Sequence, residues 1–370
     1  MKLNSIAMTI EAALARAGLN SRLGALGTAT TSIRKALAAA GLLQRDCDAP
    51  SRSAPPWRAP GRSARAYPDD VADARPAQAP RAGQGGQFLS RTISLGADSL
   101  DYKLFIPSGG MSEPAPLIVM LHGCKQTPDD FATGTGMNEL AQAQGFLVAY
   151  PAQTARANGS RCWNWFEVQQ QSRGGVEASL IAAVARDVSQ AWRVDGRRVF
   201  VAGLSAGGAM ALILGNAYPE VFTAVGVHSG VALGAAHDVG SAFAAMRGVS
   251  ARSPSAAPSD ANAVPTIVFH GDADHTVSDS NAREITAHAR RAFEAAAHQP
   301  LREILHPRNA VRGREVSTTQ YLDADGKPRV EHWVLHGADH AWAGGDKAGS
   351  YTDAKGPSAS QAMVDFFLRQ

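Results

Sequence analysis

The sequence predicts an α/β fold, a mostly parallel central sheet with helices on both faces. Three observations point to it. Short apolar runs alternate with longer stretches of helical periodicity along most of the chain, the pattern of strands joined by crossover helices. Several of those runs are almost wholly apolar, as strands covered on both faces must be. One of them, residues 199–203, runs straight into Gly203-Leu204-Ser205-Ala206-Gly207 and then into an apolar helical pattern.

The elements follow in order. A leading antiparallel pair is expected at residues 88–94 and 100–106. Strands are expected at 117–121, 146–150, 199–203, 224–228, 266–270 and 330–335, with helices at 137–144, 177–192, 206–218, 281–297 and 358–369. Residues 152–175 and 233–262 fit neither period and read as excursions from the sheet, where function tends to sit. Ahead of these elements, residues 1–45 read as a short helical N-terminal extension, with a second helix around 32–43. Residues 46–85 are rich in Arg, Ala, Pro, Ser and Asp and hold almost no large apolar side chains. Such a stretch buries too little to offset its ordering entropy and reads as a linker. The main domain is expected over 86–370.

Composition narrows the function. The 370 residues are 45% hydrophobic and 19% charged, enough for a large core without staples. Residues 1–85 hold 12 Lys+Arg against 6 Asp+Glu, and the remainder holds 24 against 27. The main domain is therefore mildly acidic, which argues against a nucleic-acid partner. No apolar run reaches the length of a membrane span. Cys47, Cys124 and Cys162 are too few for a disulfide scaffold and lack metal-type spacing, so no metal is expected. Glu11 and Arg16 interrupt what would be the apolar core of a signal peptide. Ile6, Ile10, Leu14 and Leu19 instead fall near helical spacing.

The strand–GxSxG–helix junction carries the chemistry. A serine on so tight a turn needs small neighbours because the flanking segments pack closely, which accounts for Gly203 and Gly207. A serine hydroxyl also needs a base to take its proton. Of eleven histidines, His340 stands out, in a loop just beyond the last strand; His336, at that strand's end, reads as structural. An acid must orient the base. Asp274, beyond the strand at 266–270, fits that role, with Asp272 as its rival and Asp339 as a weaker one. Ser205, Asp274 and His340 then stand in the nucleophile–acid–base order of an α/β-hydrolase fold. Acyl transfer further needs donors for the tetrahedral oxyanion. The N–H of Ala206 is one, and the His122-Gly123 turn offers the N–H of Cys124 as the second.

Four stretches together resemble the polyhydroxybutyrate depolymerase family of esterases, which includes feruloyl-esterase-like members. They are His122-Gly123-Cys124-Lys125-Gln126, Cys162-Trp163-Asn164-Trp165, Gly203-Leu204-Ser205-Ala206-Gly207-Gly208 and His340-Ala341-Trp342-Ala343-Gly344-Gly345. The resemblance spans roughly residues 87–370. It implies an α/β-hydrolase domain and a Ser205–Asp274–His340 triad working through an acyl-enzyme, with Cys124 and Ala206 as oxyanion donors. Trp163, Trp165 and Trp342 have two readings, substrate-binding indoles near the site or core packing. A Cys124–Cys162 disulfide is expected if the Trp-bearing loop folds over the oxyanion turn. That bond would favour a secreted or periplasmic setting over the cytoplasm. Cys47, in the linker, is expected to be free.

The expected activity is serine carboxylic-ester hydrolysis without metal or organic cofactor. The expected substrates are 3-hydroxyalkanoate oligomers or polyester and short-chain esters. Compared with secreted depolymerases, the sequence lacks an evident signal peptide and a linker with a polymer-binding module, which weighs against insoluble polymer. A feruloyl or acetyl-xylan type esterase is the nearest alternative. A prolyl-oligopeptidase-like peptidase would need a gating domain that residues 1–85 are too short to supply. An inactive binding protein would have a broken triad.

Overall fold

A computed structural model describes residues 85–109, 113–249 and 262–370. The chain divides into units Met1–Ala77 and Gln78–Gln370, and the described residues all belong to the second. The helical extension expected over 1–45 lies outside the described residues, as does the linker expected over 46–85 except for Gly85. Among the described residues no helix is long and apolar enough to cross a membrane.

The leading hairpin is β1 (Gln87–Leu95) and β2 (Asp98–Ile106), paired antiparallel. Next come β3 (Ala115–Leu121), β4 (Leu147–Pro151), β5 (Val194–Leu204), β6 (Ala224–His228) and β7 (Thr266–Gly271). A second hairpin, β8 (Arg302–Val311) and β9 (Arg314–Leu322), leads into β10 (Pro328–Leu335). All ten form one sheet, ordered β1-β2-β4-β3-β5-β6-β7-β10-β9-β8. The six central strands from β4 to β10 run parallel, and the flanking hairpins are antiparallel.

Every residue of β3, β4, β6 and β7 is buried, because helices cover both faces. In β3, Leu117, Val119 and Leu121 enter one core while Ile118 and Met120 enter the other, as the two-residue period of a strand requires. The first core takes Ile181 and Val184 of α3 (Val176–Ala191), Met210 and Leu214 of α4 (Ala206–Ala217), and Ile285 of α6 (Ser280–Ala297). The second takes Phe131 of α1 (Pro128–Thr135), Met137 of α2 (Met137–Gln144), and Phe366 and Phe367 of α7 (Ala359–Leu368).

Among the longer elements, helix α1, helix α5 (Val239–Met246) and the β8–β9 hairpin were not expected. Helix α1 has a Thr127 cap, whose side chain accepts from the Asp130 N–H, and a left-handed Gly136 stop. Helix α5 starts at an Asp238–Ser241 capping box inside the second excursion. The β8–β9 hairpin escapes the periodicity because β8 is exposed along nearly its whole length and contains Pro307. Proline cannot donate to a ladder, and the pairing shifts register between His306 and Asn309 to pass it.

The strand order reverses between β3 and β5, since β4 lies on one side of β3 and β5 on the other. In such sheets ligands bind at the carboxyl ends beside the reversal. Leu121 pairs with Gly203, so the turn after β3 and the turn after β5 are neighbours there.

Candidate active site

Ser205 stands between β5 and α4 with φ 56° and ψ −118°, a backbone region that costs a non-glycine residue roughly 1–3 kcal/mol and persists only where its surroundings enforce it. Two contacts hold it. Its N–H donates to the His228 carbonyl at 2.9 Å, and its carbonyl accepts from the Ala209 N–H at 3.0 Å. The neighbouring glycines are obligatory. A Cβ on Gly207 would lie 2.0 Å from the Leu121 oxygen, and one on Gly203 would lie 2.3 Å from the Gly207 carbonyl carbon. Ala206 is the first residue of α4, so its N–H has no partner inside the helix and sits at the positive end of the helix dipole.

Beyond β7, Asp274 turns back toward the sheet. Its Oδ1 accepts from the N–H groups of Thr276 (2.9 Å) and Val277 (2.8 Å), and its Oδ2 accepts from Nδ1 of His340 at 2.7 Å. The buried His270 adds a second imidazole, its Nε2 lying 3.4 Å from the same Oδ2 while donating to the Val277 carbonyl at 2.8 Å. Burial disfavours the ionised carboxylate, but hydrogen bonds from His270, His340 and Val277 outweigh it, and the pKa falls well below the usual range. Asp274 is therefore a fixed anion.

The rival acids are engaged elsewhere. Asp272 accepts from Nδ1 of His336 at 2.7 Å and from the Gly337 N–H at 2.6 Å. Asp339 accepts from the N–H groups of His340 (2.8 Å) and His275 (3.2 Å), shaping the loop that carries the histidine. The His336 ring continues to Ser317, whose Oγ donates to Nε2 at 2.9 Å. The molecule thus holds a second Ser–His–Asp chain. It differs from the first in three ways. Ser317 lies within β9 rather than on a strained turn, it does not precede a helix N-terminus, and the Asp272 side chain is 37% exposed against 0% for Asp274.

The turn after β3 is braced from every side. The His122 ring is buried and neutral, its pKa lowered to about 4 chiefly by burial. Its Nδ1 donates to the Gly123 carbonyl at 2.8 Å and its Nε2 accepts from the Gln153 N–H at 3.1 Å. Around Cys124, the Gly123 N–H donates to Oε1 of Gln126 (2.9 Å) and the Lys125 N–H to the Ser160 carbonyl (2.7 Å). The first excursion folds over this turn and is bonded to it by a Cys124–Cys162 disulfide, with Cα atoms 4.2 Å apart. Cys47 lies outside the described residues.

The three tryptophans are buried. Trp163 and Trp342 are 0% and 1% exposed and Trp165 is 7%. Trp163 Nε1 donates to the His122 carbonyl at 3.1 Å, and Trp342 Nε1 donates to Oγ of Ser360 at 3.0 Å. Large apolar rings are more stable buried than wet, so their burial favours the packing reading over substrate contact.

Two groups escaped the sequence reading. Glu177, at the start of α3, is buried and accepts from Gln153 Nε2 (2.6 Å), the Asn164 N–H (2.8 Å) and Asn164 Nδ2 (2.6 Å), pinning the Trp-bearing loop. His228, the last residue of β6, bonds to Ser205 just after β5 and to Ala343 in the segment beyond β10. A lone carboxylate in a helix and a lone histidine in an apolar strand carry no periodic or motif signal.

A family profile described as Esterase PHB depolymerase matches residues 100–299. The poly(3-hydroxyalkanoate) depolymerase C of Paucimonas lemoignei is 29% identical over 263 residues, covering 68% of this chain and 61% of the relative. The poly(3-hydroxybutyrate) depolymerase of Ralstonia pickettii is 27% identical over 323 residues, 80% of this chain and 63% of the relative. The chain therefore spans about three-fifths of the length of these relatives. Among solved structures, an acetyl xylan esterase from Aspergillus awamori superposes with a TM-score of 0.57 at 19% identity, covering 73% of this chain and 94% of that one, which shows the α/β-hydrolase fold. With more than half of the sequence matched by its profile, the chain belongs to the esterase PHB depolymerase family.

Proposed function

We propose that the protein is a serine carboxylic-ester hydrolase that works through an acyl-enzyme. The observation that carries this reading is a strained serine on an elbow after β5, together with an Asp274–His340 hydrogen bond beyond the carboxyl ends of β7 and β10. Ser205 Oγ attacks the ester carbonyl, and its proton passes to Nε2 of His340. Asp274 holds the Nδ1–H tautomer and stabilises the imidazolium. The N–H groups of Ala206 and Cys124 receive the oxyanion; losing one such donor in comparable enzymes costs about 100- to 1,000-fold. His340 then returns the proton to the departing alcohol, and water repeats the sequence on the acyl-Ser205. The disulfide that holds Cys124 in place fits an oxidising compartment.

The substrates we assign are 3-hydroxyalkanoate esters, as oligomers or polyester, and short-chain esters. Support for the acyl group comes from the similarity to the poly(3-hydroxyalkanoate) and poly(3-hydroxybutyrate) depolymerases. The test is hydrolysis of p-nitrophenyl esters from acetate to octanoate, and of 3-hydroxybutyrate oligomers, by wild type and Ser205→Ala. Turnover that disappears in Ser205→Ala is expected. Turnover that survives it would remove Ser205 from the nucleophile's role, and oligomers left intact beside active short esters would redirect the acyl assignment.

A further inference from the structure

We infer that His228 is a positioning residue that fastens the nucleophile's elbow and the base's loop to one strand end. This rests on the reading of Ser205 as nucleophile and His340 as base. His228 is the last residue of β6, between the strands that lead to the other two groups. Its carbonyl accepts the Ser205 N–H at 2.9 Å. Its ring, 0% exposed, accepts the Ala343 N–H at Nε2 at 3.0 Å, three residues beyond His340. One residue thus bonds to both halves of the site, by its main chain on one side and its side chain on the other.

The ring is held so that this bond is its natural one. It stacks against Phe269 (centroids 5.8 Å, 10°) and Trp342 (5.1 Å, 26°). Nδ1 lies 3.2 Å from Oγ of Ser229. With Nε2 an acceptor, the neutral ring carries its proton on Nδ1 and donates it to Ser229. Burial, followed by the nearby His270 and His340, lowers the pKa to about 3 and keeps the acceptor bare. Ser229 leaves the strand at φ 50° with its N–H on the Phe269 carbonyl at 2.9 Å, which fixes the ring's starting point. An apolar ring of the same size would keep the stacking and orphan the Ala343 N–H, freeing the loop that aims His340. Misplacing a reacting group by about 1 Å can cost on the order of 100-fold.

The test compares His228→Phe and His228→Gln with wild type on p-nitrophenyl butyrate, with Ser205→Ala as the blank. A glutamine amide reaches the position of Nε2 and can accept the same N–H. Expected are a roughly 10- to 100-fold lower kcat with KM within about threefold for the folded Phe variant, and kcat within about fivefold for Gln. A parallel slowing of Ser205 labelling by a fluorophosphonate should accompany the Phe result. A folded His228→Phe with wild-type kcat overturns the inference, as does equal loss in both variants, while Ser205→Ala stays inactive. Turnover in Ser205→Ala would instead bring down the reading on which it rests. If His228→Phe does not fold, His228→Asn replaces it. Its shorter amide falls short of Ala343, so a kcat equal to that of His228→Gln overturns the inference.

Discussion

Asp274 and Asp272 leave the same turn at the end of β7, two residues apart, and their carboxylates go to different histidines. Asp274 meets His340 at 2.7 Å with a fully buried side chain, and Asp272 meets His336 at 2.7 Å at the surface. The distances are equal, so distance does not choose between them. Burial does, because a desolvated carboxylate acts on its imidazole through a lower effective dielectric. Asp274→Asn is expected to lower kcat by about 10,000-fold, the scale of losing the correct tautomer. Asp272→Asn is expected to stay within about tenfold. Steady-state kinetics on one ester decides, and the reverse ranking would move the acid to Asp272.

Ser317 tests the same distinction from the nucleophile's side. Its Oγ already donates to a histidine that is held by an aspartate, yet it lacks the strained turn and the helix N-terminus of Ser205. Ser317→Ala is therefore expected to change turnover by less than about twofold, since oxyanion donors dominate acyl transfer. A loss as large as that of Ser205→Ala would make Ser317 the nucleophile.

The disulfide closes a loop across 38 positions around the proposed oxyanion donor. Loop-closure entropy for that length amounts to about 4 kcal/mol. Cys162→Ser in the isolated protein is expected to lower Tm by several degrees and kcat more than KM, because Cys124 loses its brace. Thermal melts and kinetics measure both. An unchanged kcat would show that Gln126, Lys125 and Trp163 hold the turn unaided.

Stability should fall steeply in mild acid. Burial is the largest cause of depression for three histidines, His122 (to about 4), His228 (to about 3) and His332 (to about 4). A depressed pKa means that the unfolded chain binds protons the folded one refuses. Stability is then full above the unfolded value of roughly 6.5 and is lost as pH falls toward 3 to 4. Near pH 5 the three together contribute a slope of roughly 3–4 kcal/mol per pH unit. Calorimetric Tm values from pH 7.5 to 4.5 should drop accordingly, and a flat profile would mean that these rings are hydrated. Asp274 stays ionised throughout that window, so protonation of this carboxylate does not set the acid limb of kcat/KM.

Much of the fold was legible because the central strands are buried on both faces and the helices on one. An apolar run such as Leu117–Leu121 therefore carries its own label, and helix ends such as those of α2 follow from Gly136 and Gly145. The β8–β9 hairpin at one edge was not legible, since β8 is exposed along nearly its whole length and Pro307 breaks its pairing, whereas the leading pair at the other edge was. Trp163, Trp165 and Trp342 were ambiguous for a related reason. An indole near a motif reads alike whether it lines a cleft or fills a core.

By itself the sequence determined the chemistry on offer. It contains a serine flanked by the glycines an elbow needs, and a histidine and an aspartate after the right strands. Only the tertiary structure decided which aspartate meets which histidine, that the indoles point inward, and that His228 ties two distant loops together. Residue type and local spacing encode backbone strain and reactivity within a few positions. Partner choice between Asp272 and Asp274 depends instead on where β7 and β10 end relative to each other, which their 2.0-residue side-chain period leaves open.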